Sequence, residues 1–384
     1  MKNGDPKKIM VVAGEASGDM HAAGVIRALK RKDRSLKVFG LGGPLMAKAG
    51  MDVREDLTAH AIMGFAEVVR HLPLSLRRLS DCGRWLKEEK PDLLLLVDYP
   101  GFNLRLAGWA HRLGIPVVHY IAPQVWAWHE GRIPRMKQVL TKLLTILPFE
   151  KAFFERHGMD AVYVGHPLME EMDLKVVVRT KVLKRNGIPV QAFPLVSAMP
   201  GSRKAEVERI WPLFLRASRS LRKIFPDATF LVPRPHGLEP SDYPGLVPED
   251  PVFFVEAPAY DLRKACDLAW VKSGTGTLET ALLGTPLVVA HKVPALTGYL
   301  AKRLVKIPHV SLVNILSGKE VVKELLQEKA TPTALVEESL RLLDDPKVRA
   351  AQVREFDRLR KALAVPAKAS ENVAREILKT LGRG

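Results

Sequence analysis

The chain has 384 residues, 47% hydrophobic and 26% charged, which excludes both a single ordinary domain and a disordered polypeptide. Its 59 Lys and Arg against 42 Asp and Glu leave a net charge of +17, suited to a polyanionic partner: a nucleic acid or a phosphate-rich membrane surface. The only cysteines, Cys82 and Cys266, are far apart and lack ligand spacing, which argues against a disulfide framework and a zinc site.

In chain order, the start is polar and basic, and the apolar run Ile9–Ala13 is halted by Glu15, too short for a signal peptide. No apolar run approaches a spanning helix, so the expected location is cytoplasmic, with any membrane contact peripheral. Ile9–Ala13, Val38–Leu41, Leu93–Val97, Val117–Ile121, Leu143–Leu147 and Val162–Val164 predict strands, separated by amphipathic stretches such as Ala22–Lys30 and Leu104–Leu113. A polar, basic stretch from Glu170 to Asn186 then reads as a crossing. The rhythm restarts with Leu195–Met199, Thr229–Pro233, Val252–Val255, Leu268–Val271, Pro286–Ala290 and Val310–Leu312. The pattern predicts two doubly wound, Rossmann-like α/β domains with parallel sheets facing a cleft, 1–168 and 169–345, and a helical tail, 346–384. Pro366 breaks that tail, which is expected to run back onto the first domain.

The stretch Ser273-Gly274-Thr275-Gly276-Thr277-Leu278-Glu279 follows the strand Leu268–Val271 and opens a helix that Pro286 ends. Backbone amides at a helix start bind anions, and glycine admits a phosphate close to the backbone. Glu279, one turn in, is spaced to accept hydrogen bonds from ribose hydroxyls, so the second half is expected to bind a nucleotide diphosphate. Pro200-Gly201-Ser202-Arg203 follows the strand Leu195–Met199 in the same way, with Arg203 able to fork onto a diphosphate and Ser202 able to cap the helix instead. No Asp-x-Asp pair is present, so Arg203 and helix N-termini are expected to neutralise a leaving diphosphate with no metal and no cofactor.

In the first half, Gly14-Glu15-Ala16-Ser17-Gly18-Asp19 follows the first strand but lacks dinucleotide spacing. Ser17 and Gly18 can face the cleft; Ser17 or Asp19 can equally cap the helix. His21 is a candidate base or acceptor-binding donor, or a packed structural histidine. Asp98 ends the strand Leu93–Val97, where a carboxylate can take a proton from an acceptor hydroxyl or merely stabilise the Pro100-Gly101 bend. Met63, Phe65, Val68, Val69, Leu72 and Leu76 alternate with Arg70, His71, Arg77 and Arg78; helical spacing runs from Phe65 to Leu72, where Pro73 breaks or bends it. That segment is a buried helix or a patch that dips into a membrane. Tyr120 to Trp128 can line an acceptor pocket or pack domains together.

These stretches, with Gly42-Gly43-Pro44, Met63-Gly64-Phe65, Asp98 with Phe102-Asn103, Trp126-Ala127-Trp128, Leu147-Pro148-Phe149-Glu150, Gly165-His166-Pro167, Leu300 to Lys306, and Val310-Ser311-Leu312 with Asn314, resemble the lipid-A-disaccharide synthase family of Gram-negative bacteria along nearly the whole chain. The resemblance implies a GT-B fold and an inverting glycosyltransferase. It would move 2,3-diacylglucosamine from its UDP donor to 2,3-diacylglucosamine 1-phosphate, making a β-1,6 disaccharide at an anionic inner-membrane surface. By position it implies Asp98 as base; Ser202, Arg203, Glu279 and Asn314 as UDP contacts, with Ser273, Gly274, Thr275 and Thr277 forming the phosphate turn; and Met63–Leu76 as the membrane patch. Members of that family can exchange C-terminal segments within a homodimer, which would give the tail after Pro346 a role. Gly101, Gly276 and Tyr299 stand where relatives often carry Asp, Ala and Trp. Two rivals remain: a UDP-sugar epimerase of the same architecture, and a nucleic-acid-binding protein. Against the second, the basic residues are scattered and lack an aromatic platform, so no nucleic acid is expected.

Overall fold

The computed structural model describes residues 6–14, 16–57, 72–172, 176–294, 298 and 307–382. The chain forms two α/β units, residues 1–171 with 363–384, and residues 172–362.

The first unit holds seven parallel strands: β1 (Lys8–Ala13), β2 (Lys37–Gly42), β3 (Asp52–Asp56), β4 (Leu93–Val97), β5 (Val117–Tyr120), β6 (Lys142–Thr145) and β7 (Ala161–Tyr163). Their order is β3-β2-β1-β4-β5-β6-β7. Parallel sheets are covered on both faces, so their strands read as continuous apolar runs. In β1, Ile9, Val11 and Ala13 face one core cluster while Met10 and Val12 face another. All five residues of β4 are fully buried, worth roughly 1.5–3 kcal/mol per large side chain. The helix Ala369–Thr380 packs Val373, Ala374 and Ile377 into the same core as the helix Ala16–Lys32.

The second unit holds β8 (Leu195–Met199), β9 (Thr229–Arg234), β10 (Val252–Glu256), β11 (Leu268–Lys272), β12 (Leu287–His291) and β13 (Glu324–Leu326), all parallel, in the order β10-β9-β8-β11-β12-β13. In each sheet the winding direction reverses once, between β1 and β4 and between β8 and β11. Open α/β sheets bind ligands beyond the carboxyl ends of the strands at such a switch point.

One local expectation is corrected, and one strand had no counterpart in the sequence reading. Val310–Leu312 is not a strand: Ser311 caps a helix, Leu312–Ser317, its side chain accepting from the Asn314 amide. Its neighbouring amides go to Glu324 instead of a ladder. The edge strand β3, too charged to read as a strand, forms because β2 offers it a partner. Pro73 lies in the first turn of the helix Leu72–Glu89, where its missing N–H costs nothing, while the run Phe65–Val69 that it is expected to break or bend lies outside the described residues. Among the described residues no helix is long and apolar enough to cross a membrane.

Candidate functional site

At the second switch point, Lys272 ends β11, and its Nζ donates to Glu206 Oε1 at 2.9 Å. Glu206 lies in the first turn of the helix Lys204–Ile224, which follows β8. The same carboxylate accepts from the Ser202 amide at 3.0 Å and from Arg203 Nη1 at 3.2 Å. A Cβ on Gly274 would stand 4.0 Å from Lys272 Nζ, so one ammonium serves both turns. The two stretches read as phosphate turns thus converge on a cationic corner. Burial opposes ionisation of Glu206, yet Lys272, the Ser202 amide and Arg203 together hold its carboxyl below the usual range. His291, at the end of β12, is pushed down by burial and then by Lys272 and stays neutral near pH 7.

The second turn opens the helix Thr275–Leu283, whose cap residue Gly274 adopts φ 153°, a conformation that L side chains rarely enter. At such a start the first amides have no internal acceptor. Gly274 and Thr275 are exposed there. Ser273 and Thr277 hold the turn itself. Ser273 Oγ donates to Val310 O at 2.8 Å and Thr277 Oγ1 to Gly274 O at 2.8 Å, so both buried hydroxyls shape the turn. Asn314 is likewise fully buried and fully engaged. Its Nδ2 donates to Val322 O and Glu324 Oε1, and its Oδ1 accepts the Val321 and Val322 amides. It braces the Val310–Ser311 segment against which Ser273 is tied. A Cβ on Gly276 would meet Val271 Cγ1 at an ordinary 3.5 Å, so glycine is not sterically required there.

Glu279 is held by Arg263, whose Nη1 donates to Oε2 at 2.7 Å while Nη2 donates to Thr280 Oγ1 at 3.1 Å. Arg263, Glu206, Lys272 and His291 were missed in the sequence. Only Lys272 leaves a signal there, as the charged residue that closes an apolar strand.

At the first switch point, Asp98 follows β4 and Gly14 follows β1, on neighbouring strands. Asp98 and Tyr99 both take left-handed backbone angles, φ 50° and 47°, unusual strain of the kind concentrated at functional sites. Asn103 holds this bend, donating Nδ2 to Asp98 O at 2.7 Å. A Cβ on Gly14 would come within 2.5 Å of the Tyr99 ring, so glycine lets the two loops close up. Ser17 is exposed and Gly18 buried against Ala13. Asp19 caps a different helix from its own, accepting the Gly43, Leu45 and Met46 amides. His21 Nδ1 lies 2.7 Å from Glu171 Oε1, beside buried His166, which burial drives down to about 3.

Of the apolar patch, Met63, Phe65, Val68 and Val69 lie outside the described residues, as do Glu15 and Leu300 to Lys306. Leu72 opens the helix Leu72–Glu89, and Leu76 on it is exposed.

Among solved structures, a UDP-GlcNAc 2-epimerase from Neisseria meningitidis matches with a TM-score of 0.62 at 16% identity, covering 98% of this chain and 100% of that one. The kitacinnamycin glycosyltransferase matches at 0.65 and 15%, covering 98% and 100%. Such neighbours establish the two-domain GT-B architecture and leave transferase and epimerase open. Sequence decides. Lipid-A-disaccharide synthase of Trichlorobacter lovleyi is 39% identical over 368 residues, 94% of this chain and 95% of its own. That of Syntrophotalea carbinolica is 41% identical over 346 residues, 88% and 87%. The family profile described as lipid-A-disaccharide synthetase matches residues 9–378. The chain belongs to the lipid-A-disaccharide synthetase family. It is therefore a glycosyltransferase, and the resemblance read from its motifs is borne out.

Within this family frame the aromatic loop finds its anchor. Trp126 Nε1 donates to Glu150 Oε1 at 3.0 Å, the Leu147 amide donates to Oε2 at 3.1 Å, and Trp126 meets Phe149 edge-on at 4.9 Å. Two of the quoted motifs are thus one packed unit, with Trp128 left half-exposed beside it.

Proposed function

We propose that this protein transfers 2,3-diacylglucosamine from its UDP conjugate to the 6-hydroxyl of 2,3-diacylglucosamine 1-phosphate, releasing UDP and forming a β-1,6 disaccharide. The acceptor oxygen attacks the anomeric carbon as the bond to the diphosphate oxygen breaks, and Asp98 takes the hydroxyl proton. The departing diphosphate carries the bonding electron pair onto Lys272, Arg203, the Ser202 amide and the opening amides of the helix Thr275–Leu283. Glu279, oriented by Arg263, accepts from the ribose hydroxyls. Ser17, Gly18 and His21 border the acceptor beside Asp98. The observation that carries this reading is the convergence of Lys272, Arg203 and Ser202 at one strand-end corner, in a chain of this family.

Both substrates carry acyl chains, so the enzyme works peripherally on an anionic membrane face. The net charge of +17 supports this, at about 1 kcal/mol per basic residue near the surface. A homodimer with exchanged C-terminal segments would reuse the packing of Ala369–Thr380 on Ala16–Lys32 between two chains.

Incubation with donor and acceptor, followed by mass spectrometry, should yield the disaccharide phosphate. Conversion of the UDP-sugar to its epimer with no acceptor present would favour the epimerase. Asp98→Asn should lower turnover by at least ~10³-fold while calorimetry in EDTA finds UDP affinity nearly unchanged. Substantial remaining turnover would remove Asp98 from the role of base.

A further inference from the structure

We propose that Glu206 is a resident counter-anion: its carboxylate occupies the diphosphate seat until substrate displaces it, and so sets both affinity and the ease of UDP release. This rests on the reading above that the corner takes a diphosphate. Both carboxylate oxygens are used, Oε2 on the Ser202 amide at 3.0 Å and Oε1 on Lys272 Nζ at 2.9 Å and Arg203 Nη1 at 3.2 Å. The Glu206 side chain is 16% exposed, so the carboxylate is reachable from solvent. Gly201, at φ 145°, carries no Cβ; one built there would sit 2.5 Å from Glu206 Cβ. The loop thus lies directly on the carboxylate.

A lysine has three N–H donors and an arginine five, so either could hold two anions together. The Ser202 amide has one hydrogen and cannot. A diphosphate taking that amide must evict Oε2, and the evicted carboxylate then faces a second anion across a few ångströms. Like charges at that distance repel strongly in a partly buried site. The incoming ligand carries more negative charge than the single carboxylate, so it wins the cations while Glu206 taxes its binding. When UDP leaves, Glu206 returns and the corner is never left with uncompensated cations. The competing assignment is a permanent clamp, in which Glu206 only reaches back over the helix start and orients Lys272 and Arg203.

Calorimetry on the full chain in EDTA, with UDP and separately with inorganic pyrophosphate, decides between them. A resident counter-anion predicts that Glu206→Gln binds both ligands about tenfold more tightly, with UDP product inhibition strengthened by the same factor. A clamp predicts equal or weaker binding, and that result overturns the proposal while leaving the diphosphate seat intact. If wild type binds neither ligand, the seat itself is wrong and both readings fall. Should Glu206→Gln fail to fold, Glu206→Asp keeps the charge but shortens the reach to Ser202. It too must bind UDP more tightly than wild type, and weaker binding refutes the idea.

Discussion

Glu279 is 21% exposed, while the guanidinium that holds it, Arg263, is only 3% exposed. The pair is asymmetric: Glu279 is the partner left partly open to solvent, and Arg263 is spent inside the fold on it and on Thr280. Removing a buried partner leaves an uncompensated charge, so Arg263→Met should cost roughly 2–3 kcal/mol of stability and weaken UDP binding at least tenfold. Thermal melts and calorimetry check the two losses; unchanged UDP affinity in a folded variant would detach Glu279 from the nucleotide. At this scale the sequence is only half legible. Spacing along a helix start identifies Glu279, since one turn is a local distance. It cannot say that the Ser273 and Thr277 hydroxyls point into the turn, because that depends on where Val310 and the Gly274 carbonyl come to rest. Nor can it say that Asn314 has all its bonding capacity taken by residues 321–324.

The helix Pro148–Arg156 begins on a carboxyl that burial raises to about 7, with the Trp126 and Leu147 donors only partly opposing the shift. The unfolded chain ionises Glu150 near 4.5, whereas the folded protein keeps its proton until about pH 7. Between those values the unfolded state binds fewer protons, so this group's contribution to stability falls as pH rises and is flat above 7. Buried His119 and His166, depressed to about 4 and about 3, act oppositely, with stability rising as pH climbs toward the ordinary histidine range. Glu150→Gln removes only the first contribution. Relative to wild type it should gain on the order of 2–3 kcal/mol between pH 4.5 and 8, read from urea melts across that range. A difference that does not move with pH would mean the carboxyl titrates normally. Elements themselves were mostly readable, because parallel strands buried on both faces leave apolar runs such as Leu93–Val97. The exceptions are those whose partners are distant: β3 borrows its ladder from β2, and Leu312–Ser317 is helical because Ser311 caps it while Glu324 takes amides a strand would need.

The first unit closes only with the end of the chain. Ile377 is fully buried in the core that Ile9, Val11 and Ile26 share, and Lys142 reaches Glu376 at 3.0 Å from β6. Ser370 and Asn372 hydrogen-bond Glu170 and Val164 O, which ties the helix to the segment leaving β7. Ile377→Ala should therefore cost 2–5 kcal/mol, about what a core residue of β1 would cost. Denaturant melts and limited proteolysis of residues 1–171 report it; a loss under ~0.5 kcal/mol would show that the helix merely rests on the surface. The helix Pro346–Leu363 before it belongs chiefly to the other unit, its Phe356 buried with Val289 and Leu287.

Local chemistry, by itself, determined the strand and helix rhythm, the two-unit α/β class and the family, because periodicity, turn glycines and motif order are written along the chain. It also placed Asp98 and Arg203 just beyond strand ends and Glu279 one turn into a helix, since strand ends are set by where apolar runs stop. Tertiary structure alone decided which polar groups are spent on the fold and which are left for a ligand. Hydrogen-bond capacity is finite, and its allocation depends on neighbours 10 to 66 residues away: Glu206 with Lys272, Arg263 with Glu279, Asn314 with Glu324.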